Sequence, residues 1–586
     1  MLLSAMDLPP IPDHSTYAHF VGPTTGKVKI SLSDLIHNYH PYDEIAQLIE
    51  DDPDAAHKQG WHGLTPMHKA ALRGDPKITR LLLDHSASVN EANDYGETPL
   101  HYACKRGSLM NIHMMLEGGE EEGDVWQRDN AGRNCLHHAA AGGSVLSMHY
   151  LSEVHGMAFH DRDSIGQTPL HIACLQGFQD AIKYLLRNNR SELTWTDNNG
   201  NTALHIACQN ALSEACWILL QHGNCGMLKV NNNHSQTPLH VLLQGETHGH
   251  QQLFKEMNYW ADSKTPNLPP KGPMFTWYFM LTLPAHFFGL IMLVCGVIGS
   301  YSSVVATVAT GFLASYVGGQ SHRLHHLSRW SNPIFCGAFA AGMFHTALCL
   351  FFKLHPVIFQ VNTYIHFLVD LPLFCVMFYL YYVLLFRDPG RIPRSKAILE
   401  DADPCIRDVA TGKTKADEFC ICCEITVPDR ARHCKMCEQC ILGIDHHCLF
   451  LLGCIAKDNH RHFVTFILVV MLSQVIFILY SFQYLFIIYP GHTLWEIGVA
   501  VVHKQPWVWS MCLLNLLSIF WGVSLVFMQL NLIANGVTMV WHPKVLSMKN
   551  VHVVYLSPSA KMKNLRNFFA GRRTMTVFEL NQLQKI

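Results

Sequence analysis

Between Cys420 and Phe463 the chain reads Cys420-Ile-Cys-Cys423, Pro428-Asp-Arg430, His433-Cys434, Cys437 and Cys440, then Asp445-His446-His447-Cys448, Cys454 and Asn459-His460-Arg461. Eight of the twenty cysteines fall between positions 420 and 454. Two thiolates spaced Cys-x2-Cys can reach one tetrahedral zinc ion from a tight turn. Cys420/Cys423 and Cys434/Cys437 are two such pairs, and Cys440, Cys454, His433 and His447 can complete them. That makes two four-ligand sites and leaves Asp445, His446 and Cys448 over. A cysteine two residues after a histidine that itself follows an aspartate suits nucleophilic catalysis. The histidine acts as base, the aspartate orients it, and the thiolate attacks. Cys422 sits beside a ligand pair out of phase and reads as a bystander. Spacing gives the eight ligands but not how they pair.

The elements that must position these residues begin with a repeat. Gly63-Leu-Thr-Pro-Met-His68 returns as Gly96-Glu-Thr-Pro-Leu-His101, Gly132-Arg-Asn-Cys-Leu-His137, Gly166-Gln-Thr-Pro-Leu-His171, Gly200-Asn-Thr-Ala-Leu-His205 and Ser235-Gln-Thr-Pro-Leu-His240. Successive histidines lie 33, 36, 34, 34 and 35 residues apart. That is the ankyrin period with its Thr-Pro-Leu-His box. Threonine caps a helix, proline fits its first turn, and leucine starts the buried face. We assign 31–250 to ankyrin repeats after a tail at 1–30, with 31–60 a degenerate capping repeat. In-phase histidines on stacked repeats read as structural rather than as metal ligands. Such stacks bind proteins and seldom catalyse, so this half reads as a recruitment module.

A Pro- and Lys-rich linker is expected over 251–273. Apolar runs follow, each near the ~20 residues that a bilayer requires. Six spans are expected at about 275–297, 300–318, 334–354, 357–386, 463–489 and 507–535. They define transmembrane helices 1–4 in 274–386 and helices 5–6 in 463–535, around a cysteine-rich domain at 387–462 and a tail at 536–586. Lys and Arg concentrate in the 319–333 loop, in 387–462 and in the tail. By the positive-inside rule these face the cytosol together with the repeats, so both termini are cytosolic. Asp370, inside the fourth span, is either a functional acid or a polar contact within the bundle.

Composition agrees. Charged residues are 15% and the mean hydropathy is +0.11, low charge and high apolarity for a water-soluble protein. A formal net charge of -2 argues against a nucleic-acid partner. The N-terminus has no basic region before an apolar run, so no signal peptide is expected. Metal spacing in the dense cluster, with the other cysteines scattered, fits a reducing cytosolic face.

The stretch from the paired cysteines through Pro428, Arg430 and Asp445-His446-His447-Cys448 to Asn459 and Phe463 resembles the DHHC cysteine-rich domain of protein S-acyltransferases. Asp388-Pro389-Gly390 after the fourth span, and Asn564-Leu-Arg-Asn-Phe568-Phe569 near the end, are similar to further marks of that family. The whole layout resembles its ankyrin-bearing, huntingtin-interacting-protein branch. The resemblance implies interleaved zinc sites: Cys420, Cys423, His433 and Cys440 for one ion, Cys434, Cys437, His447 and Cys454 for the other. It implies palmitoyl-CoA or a similar long-chain acyl-CoA as donor, with Cys448 as nucleophile, His446 as base and Asp445 as orienter. It also implies client proteins bearing acceptor cysteines, recruited by the repeats, and a multi-pass endomembrane address in the Golgi. Departures from the family pattern are Val427, Leu449-Phe450, Gly453 and Ala456, and Thr538-Met539-Val540-Trp541 in place of Thr-Thr-x-Glu.

The expected fold is mainly α: an ankyrin-repeat solenoid plus a six-helix transmembrane bundle with a zinc-bound cysteine-rich cytosolic domain. Two alternatives share the layout. An ion channel would need a pore loop between its last two spans, and Pro490 to Pro506 is short and lacks a filter-like sequence. A weakly active or inactive relative serving as a membrane scaffold is the other.

Overall fold

The computed structural model describes residues 31–119, 121–261, 267, 274–298, 333–360, 365–393, 406–415, 418–428, 430–539 and 556–572. The expected second span at 300–318 lies outside them. Two compact units divide the chain, Met1–His138 and Ala139–Ile586.

In the first unit helix pairs such as Pro66–Arg73 with Pro76–Asp84, and Pro99–Arg106 with Leu109–Glu117, repeat with the ankyrin period. The box histidine explains itself. His68 Nδ1 accepts from Thr65 N at 3.1 Å, and its other nitrogen, Nε2, donates to Glu97 O in the next repeat at 2.9 Å. His101 does the same with Thr98 N and Gln127 O. Both ring nitrogens are therefore spent on backbone, and burial lowers the His68 pKa. Burial and neighbouring His138 hold the His101 pKa down to about 3. These are neutral structural histidines, each capping one helix and tying it to the following repeat.

The second unit opens with the remaining repeats. The last pair is Pro238–Gln244 with His248–Ala261. That second helix corrects the sequence expectation, because it runs through residues 251–261 of the stretch assigned to a linker. Leu253, Met257 and Ala261, four residues apart, are buried along one face, and Trp260 lies 5.1 Å from the Trp217 ring.

Apolar helices follow: α1 Met274–Ile298, α2 Ile334–Ile358, α3 Ile365–Phe386, α4 His460–Ile488, α5 Leu494–Lys504 and α6 Pro506–Ala534, then the C-terminal α7 Pro558–Phe569. Among the described residues α2, Leu368–Phe386 of α3, α4 and α6 are long and apolar enough to cross a membrane. The fourth span starts at Ile365 rather than 357, because α2 continues through Ile358. Pro356 has no N–H to give the carbonyl four residues back, and a π turn over Leu350–Leu354 precedes it. The extension carries His355, whose Nε2 meets Asp370 Oδ2 at 2.9 Å with both side chains 2% exposed. Asp370 is thus a bundle contact that joins α2 to α3. Within the 490–506 stretch Leu494–Lys504 forms helix α5, capped by Thr493 and Glu496.

Between α3 and α4 lie three two-stranded antiparallel hairpins: β1 Phe419–Cys420 with β2 Ile425–Thr426, β3 Ala431–Cys434 with β4 Gln439–Leu442, and β5 His446–Cys448 with β6 Gly453–Ile455. The Asp388-Pro389-Gly390 turn docks on them through Leu442 N to Gly390 O and Ile392 N to Cys440 O, both 2.9 Å. Gly390 has φ +111, and a Cβ there would lie 3.1 Å from Asp458 Oδ2, so only glycine fits.

The repeats of this unit grip the hairpins. Arg190 Nη1 and Nη2 donate to the two carboxylate oxygens of Glu424 at 2.8 and 2.9 Å, in the turn that follows Cys423. Arg190 also lies over the Tyr184 ring at 4.2 Å, and Lys183 meets Glu438 at 2.8 Å. A half-buried charge-assisted pair of this kind contributes on the order of 1.5–3 kcal/mol. Arg190→Glu is therefore expected to lower the melting temperature of the purified protein, and adding Glu424→Arg to recover most of the loss. A double variant no more stable than Arg190→Glu would show that the pair is not coupled.

Candidate active site and metal centres

On a β-strand successive side chains point to opposite faces. His433 and Cys434 are adjacent on β3 and so turn to different sides. His433 pairs across the hairpin with Cys440 and meets Cys420 and Cys423 from β1 and its turn; Cys434 turns toward Cys437, His447 and Cys454. The ligand atoms within each group of four lie within 4.8 Å of one another. Cys423 Sγ is 3.3 Å from His433 Nδ1; Cys437 Sγ is 3.5 Å from His447 Nδ1 and from Cys454 Sγ. Tetrahedral zinc with Zn–S of ~2.3 Å and Zn–N of ~2.0 Å would set ligand–ligand edges of about 3.5–3.8 Å. The sulfurs are too far apart for a disulfide. Both donor sets fit structural zinc.

The same alternation works on β5. His447 faces the second cluster beside its cross-strand partner Cys454, so His446 and Cys448 share the opposite face. His446 Nδ1 donates to Asp445 Oδ2 at 2.8 Å, and the ring shares its face of β5 with the Cys448 thiol. Asp445, fully buried, accepts in addition from Met539 N at 2.9 Å on Oδ1 and Gln529 Nε2 at 2.9 Å on Oδ2. Burial alone would raise the Asp445 pKa, but the donors beginning with His446 outweigh it and hold the carboxyl below its usual range. Burial opposes the charged imidazole too, yet Asp445 and Cys448 push the His446 pKa up to about 9. An ionised Asp445 therefore favours transfer of the thiol proton to His446, which is what an attacking thiolate needs.

Cys448 is buried in an apolar cluster with Met377, Leu380, Phe463 and Val470. Phe339, Met377 and Val470 of that neighbourhood also line a cavity of about 350 Å³ that runs among α1, α2, α3, α4 and α6. Its walls are mostly apolar, with Asp370, Asn515 and Ser518 among its polar lining. Phe450, which departs from the family pattern, packs against Phe339 and Trp521. Of the Thr538 segment, Met539 gives its backbone N–H to Asp445, and its Sδ accepts from Gln529 Nε2 at 3.6 Å. Asn564 on α7 is buried and donates to Ala534 O, pinning the end of α6.

The structure thus gathers every sequence-predicted site residue into two donor clusters and one Asp–His–Cys line. Sequence reasoning missed Gln529, and it treated His460 only as part of a motif. His460 Nε2 lies 2.8 Å from Gln529 Oε1. The available signal was a glutamine near the end of an otherwise apolar span, where a polar group demands a partner.

Residues 413–544 match the family model described as DHHC palmitoyltransferase, and 34–125, 121–194 and 189–259 match that for ankyrin repeats. Ankyrin repeats are joined in this chain to a DHHC palmitoyltransferase domain. The chain is similar to the palmitoyltransferase AKR1 of Mortierella alpina, 31% identical over 114 residues, which are 20% of this chain and 20% of that protein. It is similar to palmitoyltransferase ZDHHC17 of Mus musculus, 32% identical over 148 residues, covering 24% and 23% of the two chains. Against palmitoyltransferase erf2 of Schizosaccharomyces pombe identity is 35% over 99 residues, 15% of this chain and 28% of the other. The matched part is about a fifth of the length of the first of these relatives.

Purified protein with an intact DHHC domain is expected to carry two zinc ions per chain by elemental analysis. Cys434→Ala should lose metal and soluble yield, because these hairpins have little core besides their ligands. Cys422→Ala should keep both ions. One ion in the parent, or two in Cys434→Ala, would contradict the donor sets.

Proposed function

We propose that the protein is a membrane-embedded protein S-acyltransferase that moves a long-chain acyl group, palmitoyl or similar, from acyl-CoA to cysteines of client proteins. The observation that carries this reading is the Asp445–His446–Cys448 line set against an apolar cavity inside the helix bundle. The Cys448 proton passes to His446 as Sγ attacks the thioester carbonyl. CoA leaves as thiolate and takes that proton from His446, giving an acyl-cysteine and a neutral imidazole. A client thiol then gives its proton to His446 as its sulfur attacks that thioester, and the departing Cys448 thiolate takes the proton back from His446. Asp445 holds the imidazole in one tautomer through both halves. Burying about fourteen methylenes of a palmitoyl chain contributes roughly 10 kcal/mol, which is reason for the nucleophile to stand over such a cavity.

The two zinc ions, held by Cys420, Cys423, His433 and Cys440 and by Cys434, Cys437, His447 and Cys454, are structural in this proposal. Each has four protein donors and no open position. The proposal retains six spans, the domain order repeats, helices 1–4, zinc domain, helices 5–6 and tail, both termini in the cytosol, and a Golgi or other endomembrane address. The repeats recruit clients.

Cys448→Ser is expected to abolish hydroxylamine-sensitive labelling by palmitoyl-CoA while zinc stays at the parent level. His446→Ala should slow it by about 10²–10⁴-fold, again with zinc retained. Equal labelling of Cys448→Ser and parent would overturn the reading. Recruitment has its own test. Removing residues 1–128 leaves the repeats that touch the hairpins, so self-acylation should persist while transfer to clients falls, most at low client concentration. Undiminished transfer across a dilution series would contradict recruitment by the removed repeats.

A further inference from the structure

Asp445 is a fully buried carboxylate, and a charge in that position is stable only if hydrogen-bond donors surround it. Three elements supply them: His446 on β5, the Met539 backbone after α6, and Gln529 on α6 itself. Gln529 is also fully buried, so its amide has no water to turn to. A carboxylate accepts only, which fixes Nε2 toward Asp445 and Oε1 toward His460. His460 Nε2 must then carry the proton that it gives Oε1 at 2.8 Å. His460 is itself 8% exposed and held edge-on by Phe568 of α7 at 5.1 Å. The chain of bonds thus runs from the first turn of α4 through α6 to the aspartate that orients the base.

We infer that Gln529 is a positioning residue for the Asp445–His446 pair, with His460 fixing which way its amide faces. The inference deepens the acyl-transfer reading and rests on it. Gln529 bonds Asp445 and is not among the residues that line the cavity. It shares Oδ2 with the His446 N–H, so it sets where that oxygen lies and hence the direction of the imidazole. It also ties α6, whose Met511 and Asn515 line the cavity, to the catalytic hairpin.

The test uses the full-length, zinc-loaded protein and palmitoyl-CoA. Gln529→Met keeps size but loses the bonds to Asp445 and His460, and with them the one to Met539 Sδ at 3.6 Å. We expect acyl-enzyme formation at saturating palmitoyl-CoA to slow by about tenfold or more, the loss set by one hydrogen bond to a charged group. The KM for palmitoyl-CoA should stay within about twofold, because Gln529 is not among the residues that line the cavity. In an Asp445→Asn background Gln529→Met should add almost nothing, since its effect passes through the missing carboxylate. A full-sized extra loss there, or an unchanged rate in the single variant, would overturn the inference.

His460 gives a second route if Gln529→Met does not fold. His460→Gln retains an N–H for Oε1 and should lose less than His460→Leu; equal losses would contradict the relay. Alkylation of Cys448 by iodoacetamide, read in the same variants, requires no acyl transfer. Slower alkylation in Gln529→Met supports the positioning role. Absence of Cys448-dependent labelling in the parent instead overturns the acyl-transfer reading.

Discussion

Neighbouring residues on a short strand cannot face the same way, and the DHHC domain depends on that constraint. His433 and Cys434 serve different metal-capable clusters because they are adjacent; His433 and Cys440 serve one because they are paired across a hairpin. On β5 the rule separates the two histidines of Asp445-His446-His447-Cys448, sending His447 to a cluster and leaving His446 beside the thiol. Strands this short cannot hold their register by packing alone. Four donors at one centre can, so the clusters fix the strands and the strands set which way His446 and Cys448 face.

The second requirement is electrostatic. A buried aspartate is useful as an orienter only while it stays ionised, and desolvation works against that. Donors from β5, from α6 and from the chain just after α6 offset the desolvation. The tail contributes indirectly, since Asn564 of α7 fixes the end of α6. The hairpin that carries Cys448 is thereby tied to α6, one of the helices that line the cavity.

Much of this was legible in the sequence because the signals are local. Cys-x2-Cys pairs, a Thr-Pro-x-His box at ankyrin spacing and long apolar runs each report on a few neighbouring residues. What stayed hidden depends on contacts distant in sequence. The donor grouping follows from hairpin register, which spacing does not contain. The Gln529–Asp445 bond joins residues from two elements that no motif links. His355 meets Asp370 only because α2 overruns its expected end past Pro356. The helix His248–Ala261 was obscured by the Pro- and Lys-rich stretch after it, although Leu253, Met257 and Ala261 carry its period. The repeats also brace the hairpins, because Arg190 and Glu424 fasten them to the turn that holds Cys423.

The most direct measurement is peptide mapping by mass spectrometry of full-length protein mixed with palmitoyl-CoA and quenched in acid within one turnover. The expected result is a single palmitoyl thioester on the peptide that contains Cys448, removed by neutral hydroxylamine, with Cys422 and the eight donor residues unmodified. A thioester on any other cysteine in place of Cys448, or no acylated peptide from zinc-replete protein, would contradict Cys448 as the nucleophile that the hairpins and the Asp445–His446 pair are built to present.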